Sequence, residues 1–355
     1  MSLNGFRREV EAALVRFLWR QWAQLGVSAA ATRQDRWAQD PEALLLATLE
    51  LGRGDARLFD EVVDWLGVNA GRLSLQRVKN LLAADPEYPR DVAAAVFAAL
   101  AREDARFRWR LDVRPPARRR AEAIFGGSPS VPLSVADPAF LEMGLLRGLF
   151  RRSGKSREPV LASPMAFALR LREVFGVTAR AEAVRVLLLH PNGELAGVDV
   201  ARACAYAKRN VVEALQSLAA GGVVRHGTRG RMSLWSLDRS HWYAFLDLRE
   251  EDAPTWVDWP SLLGGLQMLG RWLRGRDWAK MPAQVQASRA REVLAEIAPL
   301  LAAGAPWWRP PDRRTHLGEA FLPVFEESLR SVLLGLEDGE AAPDGKRRPA
   351  RARTL

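Results

Sequence analysis

The chain has 355 residues, 48% of them hydrophobic, which is enough for two or three domains with cores of their own. A single cysteine, Cys204, excludes an internal disulfide and fits a reducing, cytoplasmic setting; no stretch reaches the roughly 18 apolar residues of a membrane span, and Phe6 to Leu25 carries too many arginines for a signal peptide. The formal charge of +10 sits almost wholly in Arg106 to Arg120 and Lys346 to Arg353, which leaves the rest of the chain near neutral.

Residues 1–105 read as a helical domain. Val10, Leu14, Phe17, Leu18 and Trp22 form one stripe of a helix from Phe6 to Leu25. Asp40-Pro41-Glu42 is a helix start, with Asp40 as cap and proline in the first position. Helices follow over Arg57 to Leu66, Ser74 to Ala83 and Pro89 to Ala101, broken by Gly67, Gly71 and Asp85-Pro86. Their spacing predicts a packed bundle. Residues 106–137, rich in Arg, Pro, Gly and Ser, read as a basic linker. Helical patterning resumes over Pro138 to Phe150 and, after a basic loop from Arg151 to Arg157, over Met165 to Phe175.

Residues 138–238 therefore divide into a helical lead-in and, from 178 to 238, a segment of distinctive order. A helix around Ala181 to Leu189 is broken by His190-Pro191-Asn192-Gly193. A short segment, Val198 to Ala203, leads through Cys204-Ala205-Tyr206 into a second helix, Lys208 to Ala220, closed by Gly221-Gly222. Val223 to His226 and Arg231 to Leu237 then flank a tip, Gly227-Thr228-Arg229-Gly230. On the second helix Val211, Ala214, Leu215 and Leu218 share an apolar face, which leaves Lys208, Arg209, Asn210, Glu213 and Gln216 on the other. Arginine paired with guanine and asparagine with adenine are geometrically favoured contacts for such a face, and a carboxylate accepts from cytosine. Arg225, Arg229 and Arg231 surround the tip, where they suit a phosphate backbone or a minor groove.

This frame, Val211…Ala214-Leu215…Leu218…Gly222-Val223-Val224 with its arginine-flanked hairpin, resembles the winged helix-turn-helix superfamily of bacterial DNA-binding regulators. The resemblance covers about 60 residues and implies a short β-hairpin wing in an otherwise mainly α protein. It also implies double-stranded DNA as the partner, read by Tyr206, Lys208, Arg209, Asn210, Glu213 and Gln216 and held by Arg225, Arg229 and Arg231. The lead-in Leu171 to Glu182 resembles winged-helix proteins encoded beside nucleotidyltransferase toxins, which implies an antitoxin-like or defence-operon repressor. A homodimer, or a toxin-like protein partner held by the helical domains, belongs to the same expectation.

Residues 239–336 read as a helical domain with seven of the chain's thirteen tryptophans; Trp259, Leu262, Leu266 and Leu269 recur at helical spacing. Paired prolines after Trp307-Trp308-Arg309 end any helix there. Residues 337–355 have the composition of a disordered basic tail. Four scattered histidines and one cysteine offer no metal-ligand spacing, so no metal or cofactor is expected. Arg152-Ser153-Gly154-Lys155-Ser156 lacks the earlier glycine and the preceding strand of a phosphate loop, and no nucleophile motif is present. The reading is a non-enzymatic transcriptional regulator. The alternative is an interaction scaffold in which the winged helix and the Trp-rich domain dock a protein.

Overall fold

The computed structural model describes residues 3–29, 33–115, 121–126, 135–312 and 315–339. Among these the chain is mainly α-helical, with fourteen α-helices and five short strands. The first five helices are α1 (Leu3–Gln24), α2 (Pro41–Leu51), α3 (Ala56–Asn69), α4 (Leu75–Ala84) and α5 (Arg90–Glu103). Three start where a short polar side chain accepts an N–H of the first turn: Asp40 from Ala43, Asp55 from Leu58 and Ser74 from Arg77.

Far along the chain, α12 (Trp259–Arg274), α13 (Ala283–Gly304) and α14 (Phe321–Asp338) pack on these same helices. Phe17 stacks on Trp259 at 5.9 Å, Phe6 meets Phe325 edge-on, and the Trp259 indole donates to the Ala38 carbonyl at 2.8 Å. The two stretches expected as separate helical domains thus share one apolar core. Gly304 permits the close packing of α12 on α13, since a Cβ there would lie 2.4 Å from that of Leu262. None of the seven tryptophans after residue 239 is exposed, and Trp259, Trp278 and Trp308 are fully buried. They mainly build the body of the protein, with Trp242, Trp256, Trp272 and Trp307 partly exposed at its edge.

The expected linker is also bound to this body. Phe107 and Trp109 are buried against Phe97, with ring centroids 6.1 and 5.3 Å away, while the alternating Arg106, Arg108 and Arg110 are exposed. A period-two alternation, apolar inward and arginine outward, makes a strap of a segment that composition alone reads as solvated. Residues 116–120 and 127–134 of that segment, and 340–355 of the expected tail, lie outside the described residues. The helix expected over Pro138 to Phe150 is shorter, α6 (Pro138–Glu142). Gly144 turns the chain at φ +74°, and β2 (Leu145–Leu146) pairs in parallel with β1 (Glu122–Ala123). Arg147 holds this turn through two hydrogen bonds to Asp60, at 2.7 and 3.0 Å, with its guanidinium over the rings of Phe125, Phe140 and Phe150.

A second core lies between α7 (Phe167–Phe175), α8 (Ala179–Leu189), α9 (Gly197–Cys204), α10 (Lys208–Ala220), α11 (Arg239–Phe245) and a three-stranded sheet. The strands are β3 (Glu194–Ala196), β4 (Arg225–Arg229) and β5 (Met232–Ser236), in the antiparallel order β3-β5-β4. The hairpin is tighter than expected: Gly227 to Arg229 belong to β4, and the turn is Gly230-Arg231 with Gly230 at φ +61°.

Three arginines and three carboxylates join the two cores, all of them with side chains 0 to 2% exposed. Arg77 donates to Asp40 at 3.0 and 2.5 Å and to Glu42 at 2.5 Å. Arg172 bridges Glu42, at 2.8 Å through each terminal nitrogen, to Glu182 at 2.7 Å. Arg185 donates to Glu182 at 2.9 Å and lies over the Trp256 ring. Burial opposes ionisation of Asp40 and Glu182. The facing guanidiniums, chiefly Arg77 for Asp40 and Arg185 for Glu182, outweigh it and hold both carboxyls below the ordinary range.

Removing one member strands its partners. Arg172→Ala should cost about 3–5 kcal/mol in denaturant unfolding. Asp40 and Glu182 titrate lower in the folded chain than in the unfolded one, so their contribution is complete above the unfolded values of about 4 and is lost as pH falls below them. Unfolding midpoints should therefore be level from neutral pH to about 5 and then drop towards pH 3, with a shallower drop in Glu182→Gln.

Candidate nucleic-acid interface

The sequence of α10 sorts its side chains as helical periodicity requires. Val211, Ala214, Leu215 and Leu218 are buried in the second core, and Lys208, Arg209, Asn210, Glu213 and Gln216 are exposed. The hairpin places Arg225, Arg229 and Arg231 in solvent, and Trp235 on β5 anchors it to the core. No side chain caps the start of α10, where Ala207 is the preceding residue, so its first N–H groups keep their partial positive charge.

Local ion pairs reduce the charge of this surface in a specific way. Residues 178–238 contain eight basic and five acidic residues. Each of the five acids faces a base: Glu182 with Arg185, Asp199 with Arg202, Glu213 with Arg209 at 2.8 Å, Asp238 with Arg225 at 2.9 Å, and Glu194 with Arg229 at 3.0 Å. The surplus of three is carried by Arg180, Lys208 and Arg231, at the first turn of α8, the first turn of α10 and the hairpin turn. Arg180 reaches Ser217 of α10 at 3.2 Å, which sets it beside the exposed face of that helix. It is absent from the candidates that the sequence suggests, and its position two residues after the helix-capping Thr178 is the only local signal for it. The pairs of Arg209, Arg225 and Arg229 are solvent-exposed and screened by water, so a polyanion can displace them.

Tyr206 stands apart from this face. Its hydroxyl donates to Ser74 Oγ at 2.8 Å, at the cap of α4, and burial raises its pKa. The turn it belongs to is bound by the body on both sides: Arg77 donates to the Cys204 carbonyl at 2.7 Å and Asn80 to that of Ala205 at 3.0 Å. Ala205 is held at φ +53°, a left-handed conformation that costs a non-glycine residue about 1–2 kcal/mol. Tyr206 is a joint between the two cores, which sets it apart from the exposed side chains with which the sequence groups it. Cys204 is buried beside it, its thiol pushed well above its usual range by burial.

The basic loop from Arg151 to Arg157 closes on the protein itself. The Asp64 carboxylate accepts the N–H groups of Gly154 and Ser156, each at 3.1 Å, and is held below its usual range despite burial. An anion site formed by these amides is thus already filled by the chain's own carboxylate. Among the described residues, no group of three or more His, Cys, Asp or Glu is arranged to hold a metal, and no helix is long and apolar enough to cross a membrane.

Tyr206→Phe should lower stability by about 0.5–1.5 kcal/mol in urea unfolding and leave any nucleic-acid affinity of the chain unaltered. A changed affinity at unchanged stability would return Tyr206 to the interface. Compared with known protein families, curated proteins and solved structures, the chain matches none.

Proposed function

We propose that residues 178–238 form a winged helix-turn-helix and that the protein is a DNA-binding transcriptional regulator. The observation that carries this reading is the distribution of positive charge without a carboxylate partner among the described residues: Arg180, Lys208 and Arg231 lie on α8, α10 and the hairpin turn, with Asn210 and Gln216 exposed on α10. The order helix, strand, helix, helix, hairpin supports it, with the sheet order β3-β5-β4 tying the hairpin to the helices. In this reading α10 enters the major groove, where Lys208, Arg209 and Asn210 meet base edges, and the wing arginines lie along the backbone. An antitoxin-like or defence-operon repressor is the setting that the lead-in resemblance suggests. A two-fold dimer would place half-sites about one helical turn apart.

One observation favours a second reading, a protein-docking module. Phe245 at the end of α11 is 66% exposed and lies edge-on to Trp242, which in turn packs on Phe175. Aromatic groups set in this way anchor protein interfaces.

Binding of the full chain to a duplex from its gene's own upstream region, against a scrambled duplex over a salt series, separates the two. The regulator reading expects a preference of at least about tenfold that Lys208→Ala with Asn210→Ala removes. Arg231→Ala should weaken both duplexes alike and flatten the salt dependence by about one unit of slope. Equal affinities that ignore all of these substitutions would overturn it. Loss of self-association in Phe245→Glu, without any duplex affinity, would favour the docking module.

A further inference from the structure

Along the seam between the two cores runs a groove of about 1140 Å³, floored by α12 and walled by α4, α13 and the turn between α9 and α10. Its volume matches the upper end of small-molecule sites. The floor is the stripe Pro260, Gly264, Met268 and Trp272, one residue per turn along α12, all partly exposed, whereas Trp259, Leu262, Leu266 and Leu269 of the same helix are buried. Such a helix is apolar on both sides: Met268 and Trp272 pack partly on the first core, Trp272 against Trp278 at 4.4 Å, while Pro260 and Gly264 are left open to the groove.

Gly264 is the more telling feature. Three other glycines here are required by packing: a Cβ would lie 3.0 Å from Leu301 at Gly265, 2.8 Å from Leu51 at Gly270 and 2.4 Å from Leu262 at Gly304. At Gly264 a Cβ would meet nothing within 4 Å. Glycine inside a helix costs about 0.5–1 kcal/mol relative to alanine, and no contact within the chain offsets that cost at this position. Gly264 thus leaves the floor of the groove open to close approach.

The charges on the walls indicate what that is. Glu87 beside α4 and Glu296 on α13 face the groove with no ion-pair or hydrogen-bond partner for their carboxylates among the described residues. Asp85 and Arg271 neutralise each other at 2.7 Å, Arg202 is paired with Asp199, and Arg276 is drawn over the Trp278 ring. The carboxylates of Glu87 and Glu296 thus stand against the single cation of Arg276, and the unpaired charge is predominantly negative. We propose that this groove binds an amphipathic organic cation, with its apolar body over Gly264 and Met268 and its charge between Glu87 and Glu296. The inference needs no DNA and does not rest on the regulator reading. It does place the ligand against Tyr206 and Ala207, directly before α10.

Calorimetric titration of the full chain with tetraphenylphosphonium and with tetraphenylborate, which have nearly the same shape and opposite charge, tests this. Tetraphenylphosphonium should bind at least tenfold more tightly, and Glu87→Gln with Glu296→Gln should bring the two within a few-fold. Gly264→Trp should abolish binding. Gly264→Leu should do so partially while keeping the helical circular dichroism and unfolding midpoint of the parent, and so guards against a fold lost to the larger side chain. Absence of tetraphenylphosphonium binding at millimolar concentration, a preference for tetraphenylborate, or affinity unchanged in Gly264→Leu would overturn the proposal.

Discussion

Asp40, Glu42, Arg77, Arg172, Glu182 and Arg185 carry formal charges with almost no access to water, and the rest of the molecule is organised around them. An ion taken from water into a protein interior loses several kcal/mol of solvation, which only well-placed opposite charges and hydrogen bonds return. Here the return requires α2, α4, α7 and α8 to be present together, because no two of these helices supply a complete set of partners. The cluster therefore acts as a geometric constraint. It fixes how the second core sits on the first, in a way that apolar contact alone, being non-directional, does not.

That constraint passes directly to α10. The Arg77 guanidinium that pairs with Asp40 and Glu42 also holds the Cys204 carbonyl, and Asn80 and Ser74 on and before the same helix hold Ala205 and Tyr206. The turn leading into α10 is thus seated on the helical body, left-handed Ala205 included. The exposed face of α10 is presented from a rigid platform, and the groove beside α12 opens at the foot of that same platform. Anything that bears on the turn bears on the start of α10, where Lys208 is left without a carboxylate. The proposed reading face and the proposed ligand groove are two surfaces of one joint.

The mainly α character and most helix starts were legible because they depend on local chemistry. Asp40-Pro41 and Ser74 signal helix starts through their own side chains, and the apolar stripe of α10 follows from its spacing. What remained hidden depends on residues far apart in sequence. Trp259 meets Phe17 across more than 240 positions, so composition divides a core that the fold unites. Arg172 and Glu182 lie in the lead-in that carries the second resemblance, and nothing local in it signals that both are buried. Tyr206 lies two residues from Lys208 and looks like a neighbour in function, but its partner is Ser74, 132 positions away. The exposed face of α10 was legible from periodicity; that Arg209 on it and Arg225 and Arg229 on the hairpin are spent on Glu213, Asp238 and Glu194 was not, because that depends on side-chain geometry.

We propose that the surface formed by α10 and the β4-β5 turn is where this protein meets a nucleic acid. Amide hydrogen exchange on the full chain, with and without a saturating duplex from the gene's upstream region, tests it most directly. The account predicts slowed exchange at the start of α10 and across the hairpin from Arg225 to Met232, with α11 and the groove-facing side of α12 unchanged. Protection confined to α11 or to the arginine strap at 106–110, or no protection anywhere, would contradict it.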